Sequence, residues 1–407
     1  MRALMAVTTA AVAVLAVQAF PPTLARYEAS YGEARRGAAR EGGRPATVAL
    51  GLGSLNDQPR VFLLDLPSLA KARALVRATD TFSLPAWIAL KSQAPYWWPN
   101  PRTPDGLPYV QRDGERNPEI NKIIDHQSMD RMAGAVETLA LTAYFGGEEK
   151  YAQKAAQLLR AWFIDPATRM NPHLQYGQGI PGITTGRGIG LIETRGLTRV
   201  VDAVGVLETT DAWTAENDRA VRDWFSRFLT WMRESKNGRD ESAAKNNHGT
   251  YYDLQVASFA LFVDRPEIAR EVLAAARQKR IAVQIEPDGR QPLELARTRS
   301  WSYSVMNING LTQLADLGQR VHVDLRHFAT RDGRSIRGAL RYLAPYAVGE
   351  RTWTRQQISG WTPEELFPVL RHALYDVTED RVLIALIHKV PPPAPADRAN
   401  LTNIRVH

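Results

Sequence analysis

The 407-residue chain contains no cysteine. Thiol nucleophiles, thiolate metal sites and disulfide bridges are therefore excluded. With 44% hydrophobic residues, a chain of this length can be stabilised by its own core without bridges. His-x-x-x-His metal spacings and the Gly-x-Ser-x-Gly elbow of serine hydrolases are also lacking. The sequence predicts neither a metal ion nor any other cofactor.

Long apolar runs are lacking except at the N-terminus. Arg2 precedes an uncharged stretch, residues 3–19, that consists mostly of Ala, Val and Leu. The stretch is short for a membrane span, no stop-transfer flank follows, and small residues stand at 17 and 19. Residues 1–19 are therefore predicted to be a cleaved signal peptide, with an uncleaved anchor as the alternative. We expect a periplasmic or secreted protein without a membrane span once the signal is removed.

Acidic residues are fewer than basic ones, 43 against 51, so the formal net charge is +8. A basic surface attracts polyanions such as nucleic acid, anionic lipid or acidic polysaccharide. No block of Lys and Arg with interleaved aromatic residues is present, which argues against nucleic acid as the partner. The charge alone does not choose between anionic lipid and acidic polysaccharide as the partner.

Strand signals are few and are limited to residues 47–50 and 61–64. Helical spacing of apolar residues is found along most of the chain. It covers residues 68–78, 129–144, 148–163, 220–235, 251–262, 267–275, 311–317, 336–344, 366–375 and 381–388. Helices of moderate length with short turns predict stacked antiparallel pairs, in a bundle, an open solenoid or a closed α/α toroid.

Two long segments rich in Gly, Pro or aromatic residues, 95–117 and 169–194, do not fit helices. Loops of this length in a compact domain are usually functional. The first includes Trp97 and Trp98, which suit stacking on sugar rings at least as well as a core position. Arg187, between glycines in the second, is either a solvated loop charge or a clamp for a carboxylate.

The densest polar cluster is the run Lys245-Asn246-Asn247-His248-Gly249-Thr250-Tyr251-Tyr252-Asp253. Asn and His can donate hydrogen bonds to a carboxylate, and Tyr can transfer a proton. The alternative is that Asn246 and Asn247 only cap a helix that begins near Tyr251. A second cluster contains Arg297, Arg299 and Tyr303, in which arginine could grip a carboxylate. Taken alone, a surface arginine pair near a core tryptophan is the simpler explanation.

Together the two clusters match the requirements of β-elimination on a uronic-acid polymer. The substrate carboxylate must be neutralised before the C5 proton can leave, and Asn, His and Arg can do this without a metal. A base then takes the proton and an acid protonates the leaving O4, roles that Tyr can fill if nearby cations lower its pKa. A glycoside hydrolase that uses Glu193, Asp253 or Glu294 and a non-catalytic polysaccharide-binding protein are the alternatives.

These clusters, together with the segment from Asn171-Pro172-His173 to Glu193-Thr194, resemble the alginate lyase superfamily. The resemblance covers about residues 87–375 and is closest to polysaccharide lyase family thirty-eight, which is related to family five. It implies an all-α fold, an α/α toroid that forms an incomplete barrel of antiparallel helix pairs. It also implies a polyuronate-binding groove and metal-independent β-elimination. Residues 20–390 would form this single domain, and residues 391–407 a Pro-rich tail.

Residue by residue, the resemblance implies that Asn247, His248 and Arg297 neutralise the carboxylate, with Arg299 as the alternative cation. Tyr303 would be the acid, and also the base where proton and leaving group share a face. His248 would be the base where they lie on opposite faces. The residues expected to contact the substrate are Tyr96, Trp97, Trp98, His126, His173, Gln175, Tyr176, Arg187, Lys245, Tyr252 and Arg299.

Overall fold

The computed structural model describes residues 89–374 and 379–394. The predicted signal peptide, the strands at 47–50 and 61–64 and the helix at 68–78 lie outside these residues. Most of the Pro-rich tail also lies outside them.

The described chain is dominated by helices, and the predicted all-α toroid is confirmed. The α-helices are α1 (Asp125–Gly146), α2 (Glu149–Leu159), α3 (Leu197–Leu207), α4 (Ala215–Glu234), α5 (Lys236–Ser242), α6 (Asn247–Phe262), α7 (Pro266–Ala276), α8 (Ala282–Gln284), α9 (Pro292–Leu295), α10 (Ser300–Arg320), α11 (Ile336–Ala347), α12 (Phe367–Ala373) and α13 (Arg381–Ile387). Shorter 3-10 helices cover Pro118–Lys122, Gly188–Gly196 and Pro363–Leu366, and π-helical turns cover Arg160–Ile164 and Arg277–Ile281.

Helices adjacent in sequence pack as pairs, α1 with α2 and α6 with α7. The α1–α2 link is tight because Gly147 takes a left-handed conformation, φ 68°, that a side chain would disfavour. Helix α1 also packs on α3, and α6 also packs on α10. The long helices therefore join into one continuous core.

Helix α6 lies at the centre of this core. Nearly all its residues are buried, the polar ones included, as expected for a helix with neighbours on every side. Aromatic rings fill the space beside it: Phe225 on α4 lies 5.0 Å from Phe259 on α6, centroid to centroid. Trp224 packs edge-on against Phe163 at 4.8 Å. This packing fixes the position of the polar N-terminus of α6.

Four short strands organise the non-helical segments: β1 (Lys91–Gln93), β2 (Trp97–Trp98), β3 (Val110–Gln111) and β4 (Tyr176–Gly179). Strand β2 pairs antiparallel with β3, so the segment at 95–117 folds back on itself. Strand β1, just before this segment, pairs parallel with β4 in the segment 169–194, so the pairing links the two segments. The prediction that residues 169–194 lack helix is wrong at the end, because the 3-10 helix begins at Gly188.

Two predicted helix starts need correction. Helix α6 begins at Asn247, not near Tyr251, and Asn246 is its N-cap: its side-chain oxygen accepts a hydrogen bond from the His248 backbone N–H at 3.2 Å. Helix α10 begins at Ser300, well before residue 311, because its polar first turns interrupt the apolar spacing. Both corrections bring predicted site residues into the first turn of a helix.

No helix among the described residues is both long and apolar enough to cross a bilayer.

Candidate active site

A cleft of about 830 Å³ lies where the two non-helical segments meet the first turns of α6 and α10. Its wall comes from 95–113, from Gln178 and 187–195, from the turn 244–248 and from 293–306. The cleft brings together the following predicted residues: Tyr96, Trp97, Arg187, Lys245, Asn247, His248, Arg297, Arg299 and Tyr303.

Asn247 is held by a buried carboxylate. Its backbone N–H donates to Oε1 of Glu294 at 2.6 Å, and its side-chain Nδ2 donates to Oε2 at 2.7 Å. Burial raises the pKa of Glu294, while the two hydrogen bonds from Asn247 act in the opposite direction. Asn247 is fully buried, and because Nδ2 carries two hydrogens, one N–H of the amide is not engaged by Glu294. Glu294 therefore fixes the amide without using all its donors.

His248 also rests on a buried carboxylate. Its Nδ1 lies 2.8 Å from Oε1 of Glu241, a side chain with no exposed surface. The acceptor on Nδ1 favours the tautomer whose proton is on that nitrogen, which leaves the lone pair on Nε2. His248 is partly buried and lines the cleft. The Nε2 atom of His248 can therefore accept a proton.

Arg280 stabilises the turn that carries these residues. Its guanidinium donates to the carbonyls of Ala244 at 2.7 Å and Ser242 at 2.8 Å, and it pairs with Asp253 at 2.8 and 3.0 Å. A Cβ at Gly249 would overlap the Ala244 carbonyl oxygen and this guanidinium. Glycine at this position is therefore required for the close approach.

Tyr303 lies in the first turn of α10, with its hydroxyl 2.6 Å from the hydroxyl of Tyr96. The guanidinium of Arg297 lies 4.0 Å from the centre of its ring. Burial and the Tyr96 phenol raise the pKa of Tyr303, and the Arg297 cation offsets this only in part. The expectation that nearby cations lower this pKa is therefore wrong, because burial and the Tyr96 phenol outweigh Arg297.

Arg297 is engaged by Asp113 in a two-pronged ion pair. Its Nη2 lies 2.6 Å from Oδ1, and its Nε lies 3.0 Å from the same oxygen. Burial opposes ionisation of Asp113, but hydrogen bonds from Arg297 and Thr298 outweigh it and lower the pKa of Asp113. Among the described residues, Asp113 is the only carboxylate in the cleft wall. The charge of Arg297 is thus largely used within the protein.

Arg187 is presented to the cleft by Gln178. The Nε and Nη2 of Arg187 donate to the backbone and side-chain oxygens of Gln178, each at 3.1 Å, and the guanidinium lies 5.9 Å from the Trp97 ring. Burial lowers the pKa of Arg187 to about 10, so it stays charged at neutral pH. Of the two interpretations of Arg187, the structure favours a fixed cation over a solvated one.

Six predicted contacts lie outside the wall of this cleft. The Tyr252 hydroxyl is buried and donates to the Met232 carbonyl at 3.0 Å. His173 and Tyr176 line a separate cavity, and the Gln175 backbone N–H bonds to His173. The other two have local partners: His126 lies 3.3 Å from Asp130 on its own helix, and the Trp98 indole N–H donates to the Glu115 carbonyl at 2.9 Å.

Glu241 and Asp113 were not among the predicted site residues, and Glu294 was predicted only as a hydrolase carboxylate. Each lies in a charged stretch that resembles solvated surface, and only the fold brings it under a site residue. Across residues 89–374 and 379–394, no three His, Asp or Glu side chains come together as metal ligands do.

Comparison with known proteins identifies the family. The model of the alginate lyase family matches residues 85–353. The crystal structure of an alginate lyase from Bacteroides ovatus matches with a TM-score of 0.73 and 36% sequence identity, over 82% of this chain and 91% of that chain. A search of curated proteins gave no match. The resemblance to the alginate lyase superfamily is thereby confirmed: the chain belongs to the alginate lyase family and is a polysaccharide lyase.

Proposed function

We propose that the protein cleaves a 1,4-linked polyuronate, polymannuronate or glucuronan, by β-elimination, and leaves a 4,5-unsaturated uronate at the new chain end. One observation carries the proposal: Tyr303, His248 and Asn247 line a single cleft together with Arg187, Lys245 and Arg299, cations that form no ion pair with a carboxylate within the described residues. Such a cleft suits a polymer that carries one negative charge on every sugar.

Neutralising the substrate carboxylate is the first requirement. The remaining N–H of Asn247 can donate to it, and Arg187 supplies a cation whose own partner, Gln178, is neutral. Lys245 and Arg299 also line the cleft, and the hydrogen bond of Arg299 goes to the Ser359 hydroxyl at 2.9 Å. We therefore assign the neutralising charge to Arg187 or Arg299. Arg297, held by Asp113, would instead position the Tyr303 ring.

Proton transfer follows from substrate stereochemistry. In D-mannuronate and D-glucuronate the C5 proton and the C4–O bond lie on the same face of the ring. Tyr303 would then take the C5 proton as a phenolate, the electron pair would form the C4=C5 bond, and the same proton would pass to the departing O4. In L-guluronate the two lie on opposite faces, so Nε2 of His248 would be the base and Tyr303 the acid.

The pH profile tests the role of Tyr303 as a base. The pKa of Tyr303 lies above its ordinary value of 10.0, so the reactive phenolate becomes more abundant as pH rises. We expect kcat/KM on polymannuronate to rise about tenfold per pH unit below that pKa, because kcat/KM reports the free enzyme. Circular dichroism over the same range controls for unfolding. A plateau that begins near neutral pH would assign the base to another group.

Glycoside hydrolysis is disfavoured by the positions of the carboxylates. A hydrolase needs two carboxyl groups that flank the scissile bond. Glu193 is buried and accepts a hydrogen bond from Ser92 at 2.5 Å, Glu294 is held by Asn247, and Asp253 by Arg280. None of the three lines the cleft.

Digestion of a substrate panel tests the proposed specificity. Purified protein is incubated with polymannuronate, polyguluronate and glucuronan, and ultraviolet absorbance and new reducing ends are measured together. We expect one unsaturated end per new reducing end, with polymannuronate or glucuronan cleaved fastest. Reducing ends without absorbance, or binding to all three polymers without cleavage, would contradict the proposal.

A further inference from the structure

A second cavity, of about 570 Å³, lies on the far side of the turn that carries Lys245. Helices α4, α5 and α7 and the π-helical turn Arg277–Ile281 contribute to its wall. The wall combines cationic side chains with small apolar ones, Val256, Val272, Ala275 and Val283. π-helical turns inserted in α-helices are frequent at functional sites.

The positive charges in this wall exceed the negative ones. Its carboxylates are Asp253 and Glu271, and each already has a partner: Arg280 at 2.8 Å and Arg233 at 3.2 Å.

Three further cations, Arg239, Lys245 and Lys279, line the same cavity. All three are exposed, and none forms an ion pair within residues 89–374 and 379–394. Arg239 donates only to the backbone carbonyl of Glu234. The wall thus holds five cations against two carboxylates, an excess of three positive charges.

Lys245 connects this cavity to the catalytic cleft. Lys245 lines both. Of the two residues before it, Ala243 lines the second cavity and Ala244 lines the cleft. A charged polymer that leaves the cleft at Lys245 would therefore meet Arg239 and Lys279 next. The apolar side chains offer a surface for the C–H faces of sugar rings.

We infer that the cavity formed around Arg239, Lys245 and Lys279 is a second polyuronate-binding site, which holds sugars of the same substrate chain beyond those in the catalytic cleft. The inference rests on the proposed function, because it takes the cleft ligand to be a polyuronate. Its role would be to strengthen binding of long chains over short ones, since two linked sites bind one polymer more tightly than either alone.

Calorimetric titration with saturated mannuronate and glucuronate oligomers of increasing length tests this inference. The Tyr303→Phe protein is used so that the ligand stays intact. We expect affinity to increase with length, and Lys279→Glu in the same background to weaken the longest oligomers about fivefold, the scale of exposed charge pairs. The shortest oligomers, which fill only the cleft, should bind both proteins alike. Arg381→Glu, an equal charge change at an exposed position of α13, is the matched control and should bind like the parent.

Each outcome is decisive. Loss of the length-dependent gain in Lys279→Glu but not in Arg381→Glu supports the second site. An unchanged gain in Lys279→Glu, with the shortest oligomers still bound, overturns the second site and leaves the proposed function intact. No binding of any uronate oligomer overturns both. Dextran sulfate, an unrelated polyanion, is titrated in parallel. If Lys279→Glu weakens dextran sulfate binding while uronate affinity does not depend on oligomer length, the cavity binds polyanions in general and the inference is overturned.

Discussion

Replacing Tyr303 with phenylalanine lowers the rate of unsaturated-product formation at least about a thousandfold, because the variant loses the group that exchanges the proton. The ring and its contact with Arg297 remain, so substrate binding should persist. The fold should also persist, since the lost hydrogen bond to Tyr96 contributes only about 1 kcal/mol. Ultraviolet absorbance at saturating polymannuronate measures the effect on kcat.

Two matched variants separate chemistry from packing. Tyr96→Phe removes the partner hydroxyl but keeps the Tyr303 phenol, so it should lose far less activity than Tyr303→Phe. Tyr144→Phe, at an exposed tyrosine of α1 that is 58% accessible, should behave as the parent protein. A Tyr303→Phe enzyme that retained a tenth or so of the parent rate would remove Tyr303 from the chemistry, because proton-transfer groups contribute at least about a hundredfold.

Replacing Arg280 with methionine should destabilise the protein by about 3–5 kcal/mol, the usual effect of breaking a buried ion pair. Arg280 is 2% exposed and Asp253 is 4% exposed, so Asp253 would be left without a partner in the interior. The carbonyls of Ser242 and Ala244 would also lose their donor. Urea denaturation monitored by tryptophan fluorescence measures the free energy of unfolding.

The double variant Arg280→Met/Asp253→Asn tests the cause of that loss. Removing the stranded charge should recover part of the stability, with a coupling of about 1–3 kcal/mol between the two substitutions. Arg227→Met breaks an exposed pair with Asp223 and should cost less than about 1 kcal/mol. Strictly additive effects of the two core substitutions would show that the ion pair does not account for the stability of this turn.

Apolar spacing predicted helices along most of the chain because it is a local property of each helix, whereas the toroid was implied by the family resemblance. The helix prediction failed at α10, where polar residues occupy buried positions and interrupt that spacing. The buried Asn307, for example, donates to Gln284 at 2.9 Å and to Gln291 at 2.8 Å. Partners of this kind come from other segments, so a local pattern does not reveal them.

The residues predicted to carry the chemistry were drawn from two clusters in the sequence, and both clusters reach the same cleft. The side chains that hold them were not predictable, because Glu241, Glu294 and Asp113 stand in ordinary charged stretches. The ion pair with Asp113 also changed the role that we assign to Arg297, from neutralising the substrate to positioning Tyr303. Export through residues 1–19 remains a proposal that accords with a polymeric substrate outside the cell.

The most direct test of β-elimination in this cleft is mass spectrometry of products formed from polymannuronate in ¹⁸O-labelled water. Elimination breaks the C4–O bond without adding water, so each new non-reducing end should be lighter by one water molecule than a hydrolysis product. No label should enter the glycosidic position, beyond slow exchange at the reducing carbon that a boiled-enzyme control measures. Saturated products that carry one ¹⁸O per cleavage would contradict the account.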